Sequence, residues 1–166
     1  MIVIFVKEKK MQLKPGEPAP SFEIPFGEGK TLSHDQLKGY NYILYFYPKD
    51  NTPGCTQETK DFQAFLPRFE ALKTKILGVS RDSISSHKKF SEKLALSFPL
   101  LSDNEERLCR SYGVLAEKSM FGKKYLGIVR STFLIDSQGV LRHEWRKVKV
   151  AGHVQAVLET VQKLSD

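Results

Sequence analysis

Tyr42-Ile43-Leu44-Tyr45-Phe46-Tyr47-Pro48-Lys49-Asp50-Asn51-Thr52-Pro53-Gly54-Cys55-Thr56-Gln57-Glu58 joins an apolar run to a polar turn and a single cysteine. Residues 42–47 are continuously apolar, as in a central strand covered on both faces. Pro48 ends that strand, and a polar turn follows. Thr52 suits a helix N-cap. Pro53 suits the first helical position, because its missing N–H would have no partner there. Counting on, Gly54 is the second helical residue and Cys55 the third, so Cys55 stands in the first turn of a helix that follows a buried strand. Free backbone N–H groups point outward from a first turn and the helix dipole is positive there, which favours a thiolate over a thiol. Thr52 lies one turn back on the same face. Its hydroxyl is placed to accept from a backbone N–H and to donate to a bound substrate oxygen.

Outward from this centre, strands and helices alternate. Upstream, residues 13–20 hold three prolines and a glycine and read as an extended lead-in. Ser21 to Leu32 reads as a hairpin around Gly27-Glu28-Gly29, and Ser33 to Gly39 as a short helical turn. Downstream, the helix from Pro53 runs to about Leu72 and buries Phe62, Phe65, Leu66 and Phe69. Pro67 predicts a kink or a break in it. Ile76–Ser80 is a second buried strand. Ser83 caps a helix with Phe90 and Leu94 inward and His87, Lys88 and Lys89 outward. Phe98–Asp103 is extended, and a helix from about Asn104 to Tyr112 stops at Gly113. Lys118 to Gly127 reads as a glycine-broken basic loop. Arg130–Asp136 is a strand that returns antiparallel through Ser137-Gln138-Gly139, and the last helix runs from about His153 to Leu164. This order predicts an α/β fold with a mixed central sheet flanked by helices.

At 166 residues the chain is long enough to bury a proper core, and residues 13–166 read as one domain. Residues 1–12 read as an N-terminal extension or tail, with Met11 as a second candidate start. Met1 to Val6 are too few apolar residues for a signal peptide or a membrane span, so no membrane is expected and the protein reads as cytoplasmic. The formal net charge of +7 raises the question of nucleic acid, but Lys and Arg are scattered and no binding motif accompanies them. A solvated basic surface is the better reading. Two cysteines do not make a disulfide scaffold and suit a reducing compartment. The four histidines have no metal-ligand spacing with them, so no metal and no cofactor are expected.

The central stretch resembles the peroxiredoxin active site. The family pattern P-x-x-x-T-x-x-C is filled by Pro48, Thr52 and Cys55, and Glu58, three further on, also matches. The flanking Tyr-Phe-Tyr-Pro-Lys-Asp and Thr-Pro-Gly-Cys-Thr resemble the Q-type branch, the bacterioferritin comigratory proteins. Arg130-x-x-Phe-Leu-Ile-Asp resembles the segment that bears the family's active-site arginine. The resemblance covers about Leu13 to Leu164. It implies a thioredoxin-like fold with an N-terminal hairpin extension. It also implies an antioxidant, thiol-dependent peroxidase in which Cys55 is oxidised by hydrogen peroxide or an organic hydroperoxide and cycles through a sulfenic acid. An external thiol would then restore it: a thioredoxin, a glutaredoxin or a low-molecular-weight thiol. Relatives of this type are often monomers.

Such chemistry needs an ionised sulfur, alignment with the O–O axis and stabilisation of charge on the leaving oxygen. Cys55 meets the first need. Thr52 and the N–H groups of Gly54 and Cys55 are candidates to hold the two oxygens. Arg130 is the candidate fixed cation, always charged and with several donors in a plane. Glu58 is the candidate to orient it, and Pro48 to shield the thiolate. Without the resemblance, Arg130 reads as a salt-bridged strand end and Glu58 as an exposed helix residue. The commonest Q-type pattern carries a second cysteine five after the first, where this chain has Lys60. Cys109, the only other cysteine, falls on an apolar stripe with Leu108 and Tyr112. There it reads as a small buried hydrophobe, and only as a second choice as a resolving cysteine. A thiol–disulfide oxidoreductase on the same fold is the alternative enzyme, weakened by the lack of C-x-x-C. A binding or holdase protein would leave Thr52, Cys55 and Arg130 unexplained.

Overall fold

The computed structural model describes residues 13–165, and the expectation for residues 1–12 lies outside them. The elements run β1 (Glu23–Gly27), β2 (Lys30–Ser33), a 3-10 turn (His34–Leu37), β3 (Asn41–Phe46), α1 (Pro53–Glu70) and β4 (Thr74–Ser80). There follow α2 (Ile84–Leu94), β5 (Leu100–Ser102), α3 (Arg107–Ser111), β6 (Leu115–Met120), β7 (Lys123–Ile128), β8 (Ser131–Ile135), β9 (Leu141–Arg146) and α4 (His153–Ser165). The five-stranded sheet has the order β5-β4-β3-β8-β9. β3, the apolar run, lies in the middle, parallel to β4 and antiparallel to β8. β1 and β2 form the expected N-terminal hairpin. The fold is the mixed α/β, thioredoxin-like arrangement that the sequence predicts.

Because side chains alternate along a strand, β3 feeds two separate cores. Ile43, Tyr45 and Tyr47 face a cluster with Cys55, Phe62, Phe69, Leu134 and Val157. Leu44 and Phe46 face the other, with Cys109, Tyr112 and Phe133. Each such large apolar side chain, fully buried, contributes about 1.5–3 kcal/mol. Tyr45 shows how α1 is seated. Its ring stacks on Phe62 at 4.5 Å between centroids, and its hydroxyl meets the Thr59 hydroxyl at 3.0 Å. Gly78 leaves the room for it, since a Cβ there would come within 2.8 Å of the Tyr45 hydroxyl and 2.7 Å of Leu100 Cδ2.

Four expectations need correction. α1 is one continuous helix, so the expected alternative of a break at Pro67 is absent; Pro67 lies near the helix end and removes only the bond to the Gln63 carbonyl. α3 starts at Arg107, because Glu106 takes a left-handed conformation (φ 62°) and Asp103 receives the N–H groups of Leu108 and Cys109. The stretch from Lys118 to Gly127 is no loop but belongs to the antiparallel β6–β7 hairpin, turning at Phe121-Gly122, both with positive φ. Both faces of its outer part are exposed, so the sequence carries no alternation to read. His87 points inward and is buried.

His153, at the start of α4, is buried beside Thr132, with Nε2 and the threonine hydroxyl 2.7 Å apart. Burial, and then the Arg130 charge, push its pKa down from 6.5 to about 4. The unfolded chain therefore takes up this proton at a higher pH than the native one. The stability it contributes is full above about 6.5 and is lost as pH falls toward 4. A His153→Gln variant is expected to lose less Tm than the wild type between pH 7 and pH 4.5. Parallel melting curves would reveal a buried charge if they appeared instead.

Candidate active site

The end of β3 and the start of α1 are joined by six residues, 47–52, held by a buried polar brace. Asp50 accepts from the Tyr47 hydroxyl at 2.6 Å and the Ser86 hydroxyl at 2.8 Å, and faces His87 Nδ1 at 2.8 Å. His87 Nε2 faces the Leu101 carbonyl at 3.0 Å. The Asp50 N–H donates to Asp82, which also accepts from the Ser80 hydroxyl. Burial works against the Asp50 charge, but the hydrogen bonds from His87 and Tyr47 outweigh it and hold its carboxyl below the usual range. Asp50, Asp82 and His87 are close enough together to suggest a metal site. Their polar atoms are already engaged by these protein partners, so the group acts as a brace that fixes the loop.

Thr52 opens α1 as its N-cap in extended conformation (φ −96°, ψ 154°). Its side chain makes no capping bond. The hydroxyl donates instead to the Lys49 carbonyl at 2.8 Å. This corrects the expected role: the proton is held by the backbone, and what the oxygen offers a bound molecule is a lone pair. Pro53 follows, and the first helical bond runs from the Thr56 N–H to the Thr52 carbonyl at 2.8 Å. The N–H groups of Gly54 and Cys55 therefore have no partner within the helix.

Cys55 is nearly enclosed, at 1% exposure. Arg130, on the residue just before β8, reaches it across the sheet end: Nη2 lies 3.4 Å from Sγ, and Nη1 lies 2.7 Å from Glu58 Oε1. Gly54 makes this approach feasible, since a Cβ there would lie 3.1 Å from Arg130 Nη2. Glu58 is fully buried, against the reading of it as an exposed helix residue. Burial pushes its carboxyl up to about 7, against the pull of Arg130. Pro48 stands half-buried just beyond β3.

Cys55, Arg130, Glu58, Gly54 and Thr52 are thus brought together, and Cys109 is not. It sits in the core on the opposite face of the sheet, fully buried, its thiol pushed far up by burial and by Asp103. Asp50 and His87 escaped the sequence reading. The available signal was spacing: His87 lies three before Phe90, on the same inward stripe of α2.

A thiol at a helix start, beneath an arginine held by a buried glutamate at the end of a thioredoxin-like sheet, is a peroxiredoxin arrangement. The chain belongs to the AhpC/TSA family, whose sequence profile matches residues 15–144. Within it the branch is that of the bacterioferritin comigratory, or Q-type, peroxiredoxins. Peroxiredoxin Bcp of Xanthomonas campestris is 50% identical over 147 residues, covering 87% of this chain and 92% of that one. Peroxiredoxin Bcp of Bacillus subtilis is 47% identical over 156 residues, 94% of this chain and 99% of its own. Among solved structures, the Xanthomonas campestris bacterioferritin comigratory protein, described with alkyl peroxide reduction activity, superposes with a TM-score of 0.83. It is 48% identical and covers 87% of this chain and 92% of that one. A cysteine-to-serine variant of Xylella fastidiosa PrxQ gives 0.88 at 36% identity, covering 93% and 99%.

Proposed function

We propose that the protein is a thiol-dependent peroxidase that reduces hydrogen peroxide and alkyl hydroperoxides through Cys55. The observation that carries this reading is Arg130 bonded at once to Cys55 Sγ and to the buried Glu58. The sulfur, as thiolate, attacks the terminal oxygen of ROOH, and the O–O bond breaks. The Arg130 guanidinium and the free N–H groups of α1 face the oxygen on which negative charge develops, where preorganised donors act most strongly. Thr52 accepts from the peroxide O–H. The leaving alkoxide or hydroxide takes a proton, and Cys55 becomes a sulfenic acid.

The sulfenic acid is returned by thiols from outside the chain. A first thiol attacks the sulfur and displaces water, and a second releases Cys55 as the reduced form with formation of a disulfide. The position of Cys109 supports this one-cysteine cycle, because a bridge to Cys55 would have to pass from one core to the other across the sheet. Pro48 shields the sulfur at the mouth of the site. No helix among the described residues is long and apolar enough to cross a membrane. We place the enzyme, as a monomer, in the reducing cytoplasm.

The test is the loss of hydrogen peroxide and cumene hydroperoxide with dithiothreitol as sole reductant. Catalytic consumption of both is expected. If peroxide loss only matches that of buffer with dithiothreitol, the reading is overturned.

A further inference from the structure

Five large apolar side chains are exposed among the described residues, and four belong to one element: Met120, Phe121, Tyr125 and Leu126 of the β6–β7 hairpin. Phe121 forms the turn itself and is 98% exposed. These side chains lie outside both cores. The same hairpin carries three lysines against one acid: Lys123 beside the turn, Lys124 at 3.5 Å from Glu117, and Lys118 turned back to the base of the hairpin. Exposed apolar clusters with a charged rim mark interaction surfaces.

The base of the hairpin is also joined directly to the active site. Lys118 lies across Gly127 and donates to the Ile128 carbonyl at 2.6 Å, where a Cβ on Gly127 would lie 2.8 Å from its Cδ. β7 then passes through Val129, bonded to the Val114 carbonyl at 2.7 Å, directly into Arg130. The base of the hairpin therefore adjoins the arginine that contacts Cys55.

We infer that the β6–β7 hairpin is the docking surface for a protein thiol reductant whose reactive thiol is rimmed by acidic groups. The inference rests on the peroxidase reading above. The reductant is the partner that must reach Cys55 in every turnover and that needs a surface to do so, because a small thiol diffuses in unaided. Charge selects an acidic rim, which the net positive charge of the hairpin steers and orients. A second copy of this chain fits poorly, because pairing two hairpins would bring two net positive surfaces together. An anionic bilayer matches the charge but brings no thiol.

The test uses the full chain with Phe121→Asn, Lys123→Glu and Lys124→Glu combined. Asn is chosen because it tolerates the left-handed turn position. Turnover is driven in parallel by dithiothreitol and by thioredoxin with its reductase and NADPH. The expected result is a dithiothreitol-driven rate within about twofold of wild type and a thioredoxin-driven kcat/KM lower by about tenfold or more, with a matching salt sensitivity only in the second assay. Equal change in the two assays overturns the proposal. So does a wild type that turns over with dithiothreitol but with neither thioredoxin nor glutaredoxin. Loss of a concentration-dependent dimer, or of sedimentation with phosphatidylserine vesicles, as the only effect of the substitutions would assign the surface elsewhere and overturn it too. A wild type inactive even with dithiothreitol would instead refute the peroxidase reading, and this inference with it.

Discussion

Cys55→Ser is expected to reduce thiol-dependent peroxide consumption to the level of buffer and thiol alone, with the melting temperature little changed. Serine is nearly isosteric with cysteine, so the packing against Tyr45 and Phe62 in the same core survives. Its oxygen still accepts from Arg130, so the Arg130–Glu58 pair keeps its geometry. What is lost is the nucleophile: a serine hydroxyl remains protonated at any working pH without a general base, and none is positioned on it. The only other cysteine among the described residues, Cys109, lies in the opposite core. A variant that unfolded would be uninformative by rate alone, so the melting curve belongs to the measurement. Retained turnover in a folded variant would exclude Cys55 as the attacking group.

Arg130→Lys is expected to slow the reaction with peroxide by about 10²–10³-fold, the usual effect of removing a preorganised donor from a developing negative charge. Lysine keeps the charge but not the fork. The guanidinium here serves two acceptors through two nitrogens, Sγ at 3.4 Å and Glu58 Oε1 at 2.7 Å, and a single ammonium cannot hold both in that plane. Thr52→Val, which removes the hydroxyl at almost constant volume, is expected to have a smaller effect in the same direction. Rates of peroxide-driven sulfenic acid formation, measured in single turnover, separate these effects from the thiol step. Wild-type rates in both variants would remove Arg130 and Thr52 from the substrate site.

The buried Glu58 adds a pH dependence to this. With its carboxyl pushed up to about 7, Glu58 takes up a proton as pH falls through neutrality and ceases to be an anionic anchor for Arg130. The single-turnover rate should therefore rise through about pH 7, and Glu58→Gln should flatten that limb while slowing the upper plateau. Stability moves the other way. The native carboxyl binds its proton more tightly than the unfolded one, so the stability it contributes is full below about 4.5 and is lost as pH rises through about 7. The site keeps a costly buried carboxylate because it aims the arginine.

The parts of this site that share one local stretch were legible in the sequence. Thr52, Pro53, Gly54 and Cys55 set a helix start by their own conformational preferences, and the apolar run before them reads as a central strand. Arg130 was reached through the resemblance, since a distance of 75 residues hides its contact with Cys55 from any periodicity. Other features were hidden for definable reasons. His87 is polar, so it was placed outward although its spacing with Phe90 put it inward, where Asp50 and the Leu101 carbonyl satisfy it. The β6–β7 hairpin has two solvated faces, so the alternation that reveals a strand is missing. The Thr52 hydroxyl was expected to cap a backbone N–H, but the turn brings the Lys49 carbonyl closer. In each case the deciding partner is remote in sequence or is a backbone atom placed by tertiary structure.

In the proposed cycle Cys55 alone carries the oxidising equivalent until a thiol arrives. Intact mass and peptide mapping after one equivalent of hydrogen peroxide, without added thiol, test it most directly. The predicted result is the gain of one oxygen on the peptide containing Cys55, trappable by a sulfenic-acid probe, with Cys109 still a free thiol. Loss of two hydrogens with a Cys55–Cys109 cross-linked peptide would contradict it.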